Sequence, residues 1–232
     1  DCAVLLAVEE VDVDKFRQIQ AYGFAGSVRC PIEADEIIEA VAKRAEEIKR
    51  YSRGTQRGSD RSFAGVARQE TVVFYSPKGG VGKTTLALAF AALCAQNMRA
   101  VLVDLDVKAD VAKVLQMRTF ATVSRWAELK SQPLDRKTVE NMLEKHPSGL
   151  WVLPGLRSPL DSADLTYDVA EHVLMQLRKY FDVIVVDTGP QLEDSTLAAF
   201  EMATRIVMVG MVDYATLQNV YETKDHFAML SV

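Results

Sequence analysis

A glycine-rich segment that joins an apolar strand to a helix constrains the fold of this chain more than any other feature. Residues 76–85 read SPKGGVGKTT. The apolar run before them predicts a strand at Thr71–Tyr75, and the run after them predicts a helix at Lys83–Asn97. A strand, a glycine-rich turn and a helix in this order are the context of a phosphate-binding loop. Residues 76–85 are called the phosphate loop below.

The residue types of the phosphate loop follow from the chemistry of binding phosphate. Glycines let consecutive backbone N–H groups turn inward around phosphate oxygens, and three occur here: Gly79, Gly80 and Gly82. The helix that follows directs the positive end of its dipole at the same oxygens. Lys83 is placed to bridge the β- and γ-phosphates, Thr84 offers a hydroxyl to Mg²⁺, and Thr85 can contact the α-phosphate.

Strands and helices are predicted to alternate through the rest of the chain. Further strands are predicted at Ala100–Asp104, Leu150–Leu153, Asp182–Asp187 and Arg205–Gly210. Further helices are predicted at Val123–Lys130, Asp135–Lys145, Ser162–Tyr180, Ser195–Ala203 and Tyr214–Leu230. Runs such as AVLVD and DVIVVD are apolar throughout, which is typical of parallel strands buried on both faces. The pattern predicts an α/β fold, a P-loop NTPase with a mostly parallel sheet and helices on both faces.

Carboxylates follow two of these strands, at the edge where a parallel sheet places its ligands. VLVDLDVKAD contains Asp104, Asp106 and Asp110, and IVVDTGP contains Asp187. Two interpretations stay open at this point. The carboxylates serve the metal and the water of a phosphoryl transfer, or Asp106 and Asp110 cap the next helix and Asp187 is a turn residue.

The segment KGGVGKTT resembles the deviant Walker A motif of the MinD/ParA ATPases. Pro77 stands where the ordinary motif has a glycine, and Lys78 is a second lysine near the start of the loop. The resemblance implies a homodimer with ATP sandwiched between two subunits, in which Lys78 reaches the partner's nucleotide. The nucleotide-binding residues that it implies are Lys78, Gly79, Gly80, Val81, Gly82, Lys83, Thr84 and Thr85.

The same resemblance implies roles for the carboxylates and for the cofactors, ATP and Mg²⁺. Asp106 would position the attacking water, so the expected catalytic residues are Lys78, Lys83 and Asp106. The residues expected at the metal are Thr84, Asp104 and Asp187. Asp187 would bind Mg²⁺ through a water molecule, and Asp104 would lie next to the groups that bind Mg²⁺ directly. The sequence after Asp187 departs from the family's Asp-Thr-Pro-Pro at Gly189.

The first 69 residues differ in composition from the rest. Residues 1–52 predict strands at Ala3–Val8 and Phe24–Arg29, each followed by a helix. GFAGSVRCPIEADEIIEAV resembles the C-terminal half of a response-regulator receiver domain, with Cys30 in place of the family's lysine. Residues 53–69 are predicted to be a basic flexible linker, either a solvated tether or a patch for acidic lipid or nucleic acid. Residues 70–232 form the predicted ATPase domain, and we expect the chain to be an internal piece of a longer protein.

A truncated receiver-like domain, a basic linker and a deviant Walker ATPase in that order resemble the CpaE/TadZ proteins of Tad/Flp pilus assembly. LVDLDVKADVAKVL, LWVLPG and YFDVIVVDTGPQLEDSTLAAFEMATRIVMVG resemble segments of that branch. The resemblance implies an ATP-binding, slowly hydrolysing dimerisation switch that positions a cellular assembly through protein partners. Two alternatives stay open, a ParA-like DNA or chromosome partition ATPase and a nucleotide-binding scaffold without hydrolysis.

Composition sets the expected location and partners. The net charge of −5 and pI near 5.3 make a constitutive nucleic-acid binder less expected. The apolar run from Leu86 to Cys94 is too short to span a bilayer. Three scattered cysteines without metal spacing are typical of a cytosolic protein. We expect a cytoplasmic protein, with peripheral contact at the membrane through a helix beyond Val232 as one option.

Overall fold

The computed structural model describes residues 5–8, 26–29, 69–108, 111–117, 122–129 and 134–210. In the N-terminal part, strands β1 (Leu5–Val8) and β2 (Gly26–Arg29) pair in parallel, with Leu5 opposite Gly26. Both strands were predicted from the sequence. The two helices predicted in residues 1–52, the linker and the helix predicted at Tyr214–Leu230 lie outside the described residues.

The larger unit is a six-stranded sheet with helices on both faces. Its strands are β3 (Glu70–Tyr75), β4 (Ala100–Leu105), β5 (Glu144–Lys145), β6 (Trp151–Leu153), β7 (Val183–Thr188) and β8 (Arg205–Met208). Its α-helices are α1 (Lys83–Cys94), α2 (Val111–Val114), α3 (Val123–Ala127), α4 (Arg136–Asn141), α5 (Tyr167–Arg178) and α6 (Asp194–Met202). A 3₁₀ helix spans Pro159–Asp164.

The strand order is β5-β6-β4-β7-β3-β8, and all neighbours are parallel except β5 and β6. The central strands β4 and β7 are buried along their whole length, which explains why their sequences are continuously apolar. Alternate residues of each strand enter different apolar clusters: Val101 and Val103 pack with α3 to α6, and Leu102 packs with α1. This architecture confirms the predicted α/β fold class.

One predicted helix is wrong at its C-terminal end. The helix predicted at Asp135–Lys145 spans only Arg136–Asn141, and Glu144–Lys145 is an antiparallel strand beside β6. The reversal is made by a turn at Gly149, whose φ of 90° suits glycine, and by His146 N–H, which donates to Leu150 O at 2.8 Å. Pairing with β6, a contact distant from the helical pattern, therefore overrides the local preference of residues 144–145.

A second boundary also differs from the prediction. Helix α5 was predicted to begin at Ser162 and begins at Tyr167. Thr166 takes the N-cap position, and its hydroxyl accepts from Val169 N–H at 3.4 Å. The residues before it form the 3₁₀ helix, whose cap Ser158 accepts from Leu160 N–H at 3.2 Å. Within the described ranges, no helix has the length and apolarity needed to cross a lipid bilayer.

Candidate functional site

The phosphate loop leaves the buried end of β3 and turns sharply into α1. The side chain of Ser76 is buried, and its Oγ accepts from Lys78 N–H at 3.2 Å. Gly80 and Gly82 adopt φ values of 77° and 90°, a region that disfavours other residues. A Cβ at either glycine would meet nothing within 4 Å. The backbone conformation of the loop, and not crowding, therefore requires glycine at these positions.

Helix α1 starts directly from this turn. Leu86 N–H donates to Gly82 O at 2.9 Å, which forms the first helical hydrogen bond. Gly82 is the N-cap residue and has no side chain with which to cap the helix. The N–H groups of the first turn thus face the loop without a side-chain acceptor from the cap residue, as an anion-binding helix start requires.

Lys83 forms a buried ion pair with Asp187. Its Nζ donates to Asp187 Oδ1 at 3.1 Å, and the two residues are 7% and 1% exposed. The Thr84 side chain also hydrogen-bonds to Asp187. Burial raises the pKa of Asp187, and the charge and hydrogen bond of Lys83 and the bond from Thr84 oppose that rise. Two residues at the start of α1 thus contact the carboxylate at the end of β7.

Asp104 lies beside Asp187 in the sheet. The two residues are register partners on β4 and β7, and Asp104 is 0% exposed. Its Oδ1 accepts from Asp106 N–H at 3.1 Å and its Oδ2 from Val111 N–H at 3.2 Å. Burial raises the pKa of Asp104 to about 8, the charge of Asp187 adds to the rise, and the two N–H donors oppose it. Asp104 therefore anchors the backbone on both sides of the segment that follows β4.

Asp106 faces the loop that follows β7. Its Oδ1 accepts from Lys108 N–H at 2.9 Å. A Cβ built on the buried Gly189 would lie 3.5 Å from the same oxygen, so the β4 and β7 loops approach closely here. The charge of Asp106, after the larger effect of burial, raises the pKa of Glu193.

The loop after β7 is held to β3 by two hydrogen bonds. Thr188 Oγ1 donates to Phe74 O at 2.9 Å, and Tyr75 Oη donates to Pro190 O at 3.2 Å. Tyr75 is buried, and its ring packs edge-on against Phe200 of α6 with centroids 5.1 Å apart. The position of Gly189 and its neighbours is therefore set by the core beneath them.

The structure brings together five of the residues predicted from the sequence: Lys83, Thr84, Asp104, Asp106 and Asp187. Asp106 bonds to the N–H two residues ahead, and α2 begins at Val111. Asp110 lies outside the described residues. Thr85 is exposed, and Lys78 is half-exposed on the loop. The chemical roles of all these residues stay predictions.

Two site residues were not predicted from the sequence: Gln191 and Glu193. Their sequence signal was a polar residue next to a motif, which is too common to single out. Two neighbouring aromatic residues pack together away from the site. Trp126 is fully buried. The ring of the half-buried His172 packs edge-on against it, and this buries His172 Nε2.

The donor set fits Mg²⁺ bound together with a nucleotide. Mg²⁺ prefers oxygen ligands and is usually held by one or two carboxylates, waters and substrate phosphates. Thr84 and Asp187 supply a hydroxyl and a carboxylate that already contact each other. In the described part of the chain, no cluster of three or more His, Cys, Asp or Glu side chains could hold a metal alone.

A family model described as an AAA domain matches residues 69–227, which cover the phosphate loop and every strand of the six-stranded sheet. The chain belongs to the AAA domain family. This AAA domain is 29% identical over 158 residues to the chromosome-partitioning ATPase Soj of Thermus thermophilus. The alignment covers 66% of this chain and 59% of Soj. The chain spans 57% and 59% of the length of two curated relatives that it matches.

Solved structures share the fold of this AAA domain. A ParA family ATPase from Chlorobium tepidum superposes with a TM-score of 0.62 at 18% identity, covering 68% of each chain. The septum site-determining protein MinD of Pyrococcus horikoshii, solved with Mg-ADP, superposes with a TM-score of 0.59 at 17% identity, covering 70% of this chain and 66% of MinD. The AAA domain thus shares the fold of these ParA and MinD proteins.

Proposed function

We propose that this protein is an ATP-binding, slowly hydrolysing dimerisation switch that positions a cellular assembly. The observation that carries the proposal is the contact of Lys83 and Thr84 with Asp187, directly beside Asp104 and below the glycine-rich turn. This arrangement joins a phosphate loop, a buried carboxylate and a hydroxyl at one edge of the sheet. Phosphoryl transfer depends on positioning the reacting groups and on neutralising the charge of the phosphates, and these residues can do both.

Each residue has a separate task in the proposed reaction. Lys83 binds the β- and γ-phosphates, and the N–H groups of the loop surround them. Thr84, and Asp187 through water, would hold Mg²⁺, and its charge would neutralise that of the phosphates. Asp104 keeps the β4 loop in place through two backbone N–H groups. Asp106 on that loop would position the attacking water.

Relatives support the choice of ligand. Soj is named an ATPase, and the MinD structure of the same fold contains Mg-ADP. We extend both to this chain as ATP and Mg²⁺. The switch itself rests on Lys78, which by its resemblance to the deviant Walker A lysine would reach the nucleotide of a second copy. Two such lysines would neutralise the phosphates only in the dimer, and hydrolysis would remove the reason for pairing.

The proposed assembly is Tad/Flp pilus machinery, as in the CpaE/TadZ branch. The support is the sequence order of a receiver-like segment at 1–52, a basic linker at 53–69 and the ATPase from residue 70. The proposed location is the cytoplasm, at the inner face of the membrane or at a cell pole. Protein partners of the pilus or positioning system would recognise the dimer.

A second candidate is a partition ATPase acting on DNA, which the relative Soj favours by its printed name. The net charge of −5 disfavours a broad DNA-binding face. A partition ATPase is expected to bind DNA in the presence of ATP, and this binding should be sensitive to salt, whereas a pilus-positioning ATPase is not expected to bind DNA. If the protein with ATP binds DNA tightly and this binding weakens steeply with salt, partition is the better-supported function and pilus positioning is not.

The switch is tested by light-scattering mass measurements on the full-length protein with ADP and with a slowly hydrolysed ATP analogue. The variant is Lys78→Ala, and the matched control is Lys137→Ala, an exposed lysine on α4. We expect a dimer with the ATP analogue for the wild type and the control, and a monomer for Lys78→Ala. A wild-type protein that binds ATP and stays monomeric would contradict the switch and favour a nucleotide-binding scaffold.

A further inference from the structure

The loop after β7 places the carboxamide of Gln191 near Asp106. A Cβ built on Gly189 would lie 3.5 Å from Asp106 Oδ1 and 3.9 Å from Gln191 Oε1. Both oxygens are therefore within 4 Å of one point, although their residues belong to loops that follow different strands. A side chain at position 189 would lie within 4 Å of both oxygens, and glycine leaves that space open.

The backbone just before Gln191 is tied to strand β3. Thr188 and Pro190 are tied to β3 by the hydrogen bonds to Phe74 O and from Tyr75 Oη. Pro190 also restricts its own φ, so the backbone that carries Gln191 has little freedom at that point. Gln191 is exposed, which leaves its amide accessible to a bound substrate.

Asp106 alone can form only one of the two kinds of hydrogen bond that orient a water molecule. A carboxylate accepts hydrogen bonds and cannot donate one, and Asp106 Oδ1 already accepts from Lys108 N–H. A glutamine carries an accepting oxygen and a donating NH₂ group. In some P-loop NTPases a glutamine orients the attacking water. Gln191 follows Asp187 by four residues, on the loop that faces Asp106.

We propose that Gln191 is a positioning residue for the attacking water, which it orients together with Asp106. The inference rests on the proposed ATP hydrolysis. In that reaction the water oxygen bonds to the γ-phosphorus, and the bond from the γ-phosphorus to the β–γ bridging oxygen breaks. ADP leaves, and the water's proton passes to the phosphate product or to solvent. Gln191 neither gains nor loses a proton.

The test compares full-length wild type with Gln191→Ala, and uses Leu192→Ala as a matched control from the same exposed loop. Single-turnover ATP hydrolysis reports the chemical step, and ADP affinity reports nucleotide binding. Affinity for ADP with aluminium fluoride, which imitates the phosphoryl group in transfer, reports water positioning without turnover. For Gln191→Ala we expect hydrolysis and aluminium fluoride affinity about 100-fold lower, with ADP affinity within about twofold of wild type.

A double variant separates positioning from a structural role. If Gln191 and Asp106 orient the same water, Gln191→Ala combined with Asp106→Ala will lose little more activity than Asp106→Ala alone. Additive losses would overturn the proposal, as would equal loss of ADP affinity and activity in Gln191→Ala. Unchanged hydrolysis in Gln191→Ala would overturn it while leaving the proposed function in place. A wild type that binds ATP without hydrolysing it would overturn both.

Discussion

Asp104 and Asp187 are register partners on adjacent parallel strands, and both carboxylates are almost completely buried. Two neighbouring buried carboxylates disfavour simultaneous ionisation, since each raises the free energy of the other's charged form. Lys83 pairs with Asp187, whereas Asp104 is compensated by backbone N–H donors alone among the contacts described. The two acids thus differ in what stabilises their charge.

The first prediction concerns the pH dependence of stability at Asp104. Its folded pKa of about 8 lies above the ordinary value of 3.8, so between these values the folded state binds one proton more than the unfolded state. Stability contributed by this group is therefore lost as pH rises from about 4 to 8. Relative to Asp104→Asn, the wild type should lose up to about 1.4 kcal/mol per pH unit, measured by urea unfolding with EDTA present. Parallel stability profiles for the two proteins would contradict this prediction.

The second prediction concerns the ion pair between Lys83 and Asp187. Asp187→Asn leaves the buried ammonium without its partner, so we expect a loss of about 3 kcal/mol in the nucleotide-free protein. Lys83→Met combined with Asp187→Asn should cost less than the sum of the single changes, because the double variant buries neither charge. Urea unfolding of the four proteins at pH 7 gives the coupling. Purely additive losses would mean that the pair contributes nothing.

The third prediction separates the glycines of the phosphate loop. Gly82→Ala places a side chain at a φ of 90° in open space, so we expect a loss of about 1–2 kcal/mol from backbone strain alone. Gly79→Ala is the matched control, because its φ is not in the left-handed region and its Cβ would also meet nothing. We expect its stability within about 0.5 kcal/mol of wild type. Equal effects of the two changes, measured by thermal unfolding, would show that φ is not the cause.

The fourth prediction concerns His172 on α5. Burial lowers the pKa of its imidazole, and the charge of Lys179 adds to this. A lowered folded pKa means that stability is present above the ordinary value of 6.5 and is lost as pH falls through the folded pKa. The wild type should therefore lose more stability between pH 7.5 and pH 5 than His172→Phe. Equal losses in the two proteins, measured by urea unfolding, would contradict this role of His172.

Much of the fold followed from the sequence because its signals are local. The apolar runs of β4 and β7 predicted their strands to within one residue at each end. The glycines, Lys83 and Thr84 predicted the phosphate loop because strand, turn and helix are consecutive in the chain. Residues 144–145 were assigned to the wrong element, since their strand depends on a partner beyond the turn at Gly149.

The chain's own pattern determined that a phosphate loop enters a parallel sheet, and that acids follow two of its strands. Only the tertiary structure decided which of these groups meet. Lys83 and Asp187 are separated by 104 residues, and their contact depends on the order of the strands and on the register of β3, β4 and β7. The approach of Gln191 to Asp106 depends on the same packing. Periodicity along a chain specifies which face of an element is buried, but contacts between distant elements are set by how those faces pack together.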